Sequence, residues 1–213
     1  MPYIDISFFL LSFSSLFTLI NPIGITPILL SVTENLNEQD YNKVITKGIL
    51  TALIILAIFT LMGDIIFKIY GITINAFMIA GGVLFFRTSF EMIEAKPSRS
   101  SSTPQETEEA EYKDDIGITP VGIPIIAGPG AITSVMLLSS QASTATDKFI
   151  IYFSLLITLV ITFFILKLGK KISKKIGTTG IRIIQRIMGI VLLVISIQFI
   201  INGSENIYRS WIK

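Results

Sequence analysis

Cysteine and histidine are both missing from this chain of 213 residues. Without them there is no Ser/His or Cys/His nucleophile, no thiolate or imidazole metal site, no haem ligation by histidine and no disulfide framework. Charge is also scarce. Charged residues make up 15% of the chain against 51% hydrophobic, and the mean hydropathy is +0.73. A water-soluble domain of that composition would expose far too much apolar surface, so the sequence reads as an integral membrane protein. A nucleotide-binding motif such as a P-loop is absent as well, which excludes ATP as a direct energy source. Nucleic-acid binding has no support, and nothing in the residues calls for a cofactor or a metal.

What is present is a set of apolar runs. Stretches of about 20 apolar residues predict six spans: Ile6 to Val32, Val44 to Phe67, Ile74 to Ile93, Ile116 to Leu138, Phe149 to Leu168 and Ile181 to Ile201. No basic residue precedes the first run, which is too long for a cleaved signal peptide and is expected to remain as a span. The odd-numbered connections carry thirteen basic residues and the other side four. By the positive-inside rule the odd connections face the cytoplasm and both termini face out. The lipid bilayer, as the inner or plasma membrane, is the expected surrounding.

Two of the runs are interrupted, and in the same way. FTLINPIGITPILL (Phe17 to Leu30) and PIIAGPGAITSVML (Pro124 to Leu137) align at a shift of 107 residues, pairing Pro22 with Pro129, Ile25 with Ile132, Thr26 with Thr133 and Leu30 with Leu137. The same shift lays Thr51 on Thr158 and Gly82 on Gly189. Three spans per half is an odd number, so the second half enters the membrane from the opposite side. The expected fold is all-α and polytopic, with six transmembrane helices in two inverted three-helix repeats, residues 1–94 and 117–213. Residues 95–116, rich in Ser, Glu and Pro, are expected as a flexible cytoplasmic linker. An acidic partner-binding role through Glu106, Glu108, Glu109 and Glu111 is the alternative.

Proline inside a helix removes a donor, and irregular backbone survives in lipid only where protein or a water-filled cavity satisfies it. Pro22, Gly24 and Pro27 crowd the first segment, while Pro120, Pro124, Gly128, Pro129 and Gly130 crowd the fourth. Such density predicts true breaks, each exposing an amide end with partial positive charge and a carbonyl end. A zwitterion fits that pair of ends. Its carboxylate can sit on amides near Gly128 to Ala131 or Ile23 to Ile25, and its ammonium can face carbonyls or the side-chain oxygen of Asn21. Thr26, Thr133 and Ser134 supply hydroxyls within a turn of each break, though each could simply bond the preceding turn. Either motif alone fits a packing kink equally well. At matching positions in two halves the pair favours a substrate site, made by Asn21, Pro22, Gly24, Thr26, Gly128, Pro129, Gly130, Thr133 and Ser134.

Charged residues near the span ends default to the interface, where long side chains snorkel. Asp64 and Glu91 fall just inside the apolar limits and are kept as proton-coupling candidates. Neither is linked by sequence to the breaks.

The residues NPIGITP (Asn21 to Pro27), AGG (Ala80 to Gly82), PxxIPxxAGPGAI (Pro120 to Ile132), RIMG (Arg186 to Gly189) and QFIINGS (Gln198 to Ser204) resemble the MarC/SnatA family of multipass inner-membrane proteins. Their order and spacing cover nearly the whole chain. The resemblance implies six spans with outward termini and transport of small neutral amino acids such as glycine or alanine, driven by a cation gradient. The expectation is a secondary transporter with a small-molecule substrate, working by alternating access around a midplane site. A passive pore or a membrane scaffold stays open as an alternative, and so does a homo-oligomer. An intramembrane enzyme is the weakest reading, since Asp64 with Glu91 is the nearest acid pair on offer.

Overall fold

The computed structural model describes residues 5–34, 36–94 and 117–212. The expected linker, 95–116, lies outside the described residues. Among the described residues every regular element is helical: α1 (Ile6–Ile20), α2 (Pro22–Val32), α3 (Glu38–Tyr70), α4 (Ile74–Ile93), α5 (Gly117–Ile126), α6 (Pro129–Gln141), α7 (Ala145–Lys167) and α8 (Gly169–Ile212).

Local chemistry sets many of these limits. The Asp5 carboxylate accepts from the amides of Ser7 and Phe8 and opens α1. Thr73 caps α4 through Ala76 N, and Thr144 with Asp147 forms a reciprocal capping box on α7. Pro22 and Pro129 stand at the start of α2 and α6, where a missing N–H costs nothing. Gly71, at φ 62, turns α3 into α4.

The sequence predicts six long spans, whereas five stretches among the described residues are long and apolar enough to cross a bilayer, α1 with α2 counting as one. The difference is the fourth. There the chain forms two short helices, α5 of 10 residues and α6 of 13, each too short to span by itself. α5 is wound as a π-helix, and Ala127 N bonds to Gly122 O, five residues back, at 2.9 Å. Pro120 and Pro124 cannot supply the donors an α-helical ladder would take from them. α3 and α7 run beyond their apolar windows because polar residues continue a helix as readily as they leave the bilayer.

A core of Leu16, Ile20, Leu29, Ile45, Leu56, Val121, Ile126, Val135, Ile151 and Leu155 joins α1, α2, α3, α5, α6 and α7. A second cluster, with Phe85 against Phe199 edge-on, holds α4 to α8. Glycine lets that pair close up. A Cβ on Gly82 would lie 2.6 Å from Ile200 Cγ1 and 2.8 Å from Ser196 O, and one on Gly189 would lie 2.9 Å from Ile93 N. The two contacts correspond, since 189 and 200 each lie 107 residues beyond 82 and 93.

Buried hydroxyls mostly satisfy themselves. Thr60, Thr158 and Thr162 each donate to the carbonyl four residues back at 2.6 to 2.8 Å.

Candidate functional site

Asn21 is the hinge of the first break. It holds φ 49 and ψ 60 and, among the described residues, is the one non-glycine at positive φ, a conformation that asparagine tolerates better than most. Its N–H closes α1 on Phe17 O at 2.9 Å, and its carbonyl accepts from Ile25 N at 3.0 Å to open α2. Its side-chain oxygen accepts from Gly24 N at 3.2 Å. The first break therefore carries its own cap. Pro27, inside α2, has no N–H to donate to the carbonyl of Ile23.

The second break differs in chemistry. Gly128 is extended, at φ −74 and ψ 169, and no side chain caps α6. The amides of Gly130 and Ala131 fall in the first helical turn, where no helix carbonyl precedes them. With the helix dipole behind them, they form an anion-receptive end.

The breaks are brought together. A Cβ on Gly130 would lie 3.0 Å from Leu19 Cδ2, two residues before Asn21. Beside Asn21 stands a residue that the sequence reading did not single out. A side chain on Gly24 would run into the Asn21 carboxamide and would also lie 2.7 Å from Gln185 Nε2, on α8. The two amides thus pack on Gly24 so closely that only a glycine fits between them. The available signal was Gln185 itself, an uncharged polar residue in the RIIQRIMG stretch.

The other expected residues divide. Pro22 and Gly24 are buried at the first break, and Gly128 and Gly130 are half-buried at the second. Thr26 is fully buried, but its hydroxyl donates to Pro22 O at 2.8 Å, within its own helix. Thr133 packs its methyl toward Gly81 on α4, at 3.1 Å from where a Cβ would stand. Ser134 is fully buried, and its hydroxyl has no protein partner. Pro129 is exposed and serves the helix start. Glu91 pairs with Arg87 of the same helix at 3.5 Å. Asp64 belongs to α3, and its side chain lies outside the described ones. No group of three or more Asp or Glu able to hold a metal occurs among the described residues.

The chain matches the model of the MarC family, described as MarC family integral membrane protein, over residues 6–208. It belongs to the MarC family. Relatives described as UPF0056 membrane proteins align over nearly their full lengths. MJ1677 of Methanocaldococcus jannaschii is 38% identical over 93% of this chain and 97% of its own. YvbG of Bacillus subtilis is 35% identical over 95% and 96%, and YhcE of Escherichia coli is 31% identical over 97% and 96%. No solved structure matches. MarC membership makes this a multipass membrane protein, and it explains the exposed Ile54, Leu61, Phe149, Phe164 and Val194 as lipid-facing.

Proposed function

We propose that this MarC-family protein is a secondary transporter of small neutral amino acids, with glycine and alanine as the best fits, and that its site lies between the two breaks. The observation that carries the reading is the meeting of two chemically unequal helix breaks at Leu19 and Gly130. The first start is already capped by Asn21, so a substrate carboxylate goes to the uncapped amides of Gly130 and Ala131. The ammonium then faces the Ile23 carbonyl, while the amide nitrogens of Asn21 and Gln185, both donors, face the substrate's carboxylate side. Size selection follows from the glycines, since a single Cβ at Gly24 already collides with those amides.

Alternating access of two inverted repeats is part of the same reading. It is supported by the corresponding contacts Gly82 with Ile200 and Gly189 with Ile93, which a pseudo-twofold relation would exchange. Asp64 and Glu91 remain the carboxylates proposed for coupling to a proton gradient. The three relatives compared are named only as membrane proteins, and the site offers amides, hydroxyls and carbonyls without an acid and base pair.

The test is uptake of labelled glycine and alanine by proteoliposomes carrying the purified protein, under imposed proton and sodium gradients. Uptake above protein-free vesicles, lost in Gly130→Leu, is the expected result. Uptake equal to empty vesicles across small neutral amino acids, from folded protein, refutes it.

A further inference from the structure

Seven basic residues lie between Lys148 and Ser204, at 167, 170, 171, 174, 175, 182 and 186, and that interval contains no aspartate or glutamate. Four of them stand on the first eight residues of α8. Gly177, at φ 69 and ψ 172, then breaks the helix in a conformation open essentially to glycine alone. Gly169–Ile176 is thereby a short helix in its own right, set between α7 and the last membrane-crossing stretch.

Its two sides differ. Leu168, Ile172 and Ile176 recur every four residues and share a face, with Leu168 47% and Ile176 38% exposed. Lys170, Lys171, Lys174 and Lys175 are all exposed on the remaining arc. The start of the segment is anchored. A Cβ on Gly169 would lie 3.0 Å from Thr26 Cγ2 and 3.1 Å from the Tyr41 hydroxyl, and the Lys170 ammonium stands 5.3 Å from the centre of the Tyr41 ring. On the first turn of α3, which also carries Glu38, Asp40 is held by Lys43 at 2.9 Å and by Asn37.

We propose that Gly169–Ile176 is an interfacial helix that binds the anionic headgroups of phospholipids in the leaflet on its side, with Leu168, Ile172 and Ile176 in the acyl boundary and the four lysines among the phosphates. An exposed apolar face beside four exposed lysines, in a stretch of chain without aspartate or glutamate, is what a lipid surface satisfies in full. The acidic segment around Glu106 to Glu111 could answer the charge but would leave the isoleucines and leucine uncovered. The inference rests on membership of a membrane-protein family and is independent of the transport reading.

Purified protein in phosphatidylcholine vesicles doped with spin-labelled phosphatidylglycerol or spin-labelled phosphatidylcholine tests it, by the fraction of label immobilised at the protein. About threefold or greater preference for phosphatidylglycerol is expected. It should fall by more than half in Lys170→Gln/Lys171→Gln/Lys174→Gln/Lys175→Gln and in high salt, and stay unchanged in Lys148→Gln. Thermal unfolding and labelling of termini check that the variant keeps its fold and orientation. Should the fourfold variant misfold, Lys174→Gln/Lys175→Gln and the salt titration of the unaltered protein carry the test. Equal immobilisation of the two labels, or a preference that survives in a folded variant, overturns the proposal. A preference that appears only after Glu106, Glu108, Glu109 and Glu111 are made Gln also overturns it, and points to the acidic segment as occupant.

Discussion

The phenol of Tyr41 donates a 2.6 Å hydrogen bond to the backbone carbonyl of Leu166. It ties the start of α3 to the end of α7, next to Gly169 and below the first break. About two thirds of the way along α3, Ser139 of α6 donates to Thr60 O at 2.7 Å. One long helix is thus pinned at two points to the elements that frame the site, and each pin is a single side-chain hydroxyl.

Tyr41→Phe should cost about 0.6 to 1.7 kcal/mol, the range measured for side-chain hydrogen bonds between membrane helices. The ring is retained, so packing and the Lys170 contact persist. Tyr41→Ala should cost several times more, because the ring is 3% exposed. Thermal unfolding in detergent separates the two. A Tyr41→Phe variant that melts with the unaltered protein would contradict the assignment of the hydroxyl.

Two glycines should fail for different reasons. Gly82→Ala places a methyl 2.6 Å from Ile200 Cγ1 and 2.8 Å from Ser196 O, an overpacking cost of about 1 to 3 kcal/mol. Gly71 has open space around it but φ 62, so Gly71→Ala should cost about 1 to 2 kcal/mol through backbone strain. Asparagine should restore most of the loss at 71 and none at 82. Unfolding midpoints of the four variants decide it.

Much of this was legible in the sequence. α4 coincides with its predicted span because Thr73 caps one end where the apolar run also begins. The breaks were legible because so many prolines and glycines cannot share one membrane helix. The π-winding of α5 was not, since missing donors do not say which longer hydrogen bond replaces the shorter. Nor was the role of the Asn21 oxygen, read as an ammonium ligand but engaged with Gly24 N: a carboxamide beside a helix start meets that helix's own amides first. Gln185 escaped because Gly24 and Asn21, beside which it stands, lie more than 160 positions away in the chain.

Asn21 can be separated into backbone and side chain. Asn21→Gly keeps the left-handed conformation and loses the amide, while Asn21→Ala loses both. Stability should fall by a few tenths of a kcal/mol for glycine and by about 1 to 3 kcal/mol for alanine, cap and strain together. Uptake should fall about tenfold in both, the worth of one lost hydrogen bond to a charged group. Full uptake by Asn21→Gly would remove the amide from the substrate site and leave Asn21 a hinge alone.

Gln185 gives the sharpest test, because it caps neither helix of the first break yet packs on Gly24 beside Asn21. Gln185→Leu should leave the melting temperature nearly unchanged and raise the KM for glycine about tenfold. Gln185→Glu should do more harm, since it replaces an N–H donor by a carboxylate that repels the substrate's own carboxylate. If both amides contact one substrate, the losses in Asn21→Gly/Gln185→Leu should be non-additive, with the second substitution costing less than it does alone. Strict additivity would place them in separate roles, with Gln185 merely filling space behind Gly24. An unchanged KM in all three variants would move the substrate away from the first break and toward the uncapped amides of Gly130 and Ala131 alone.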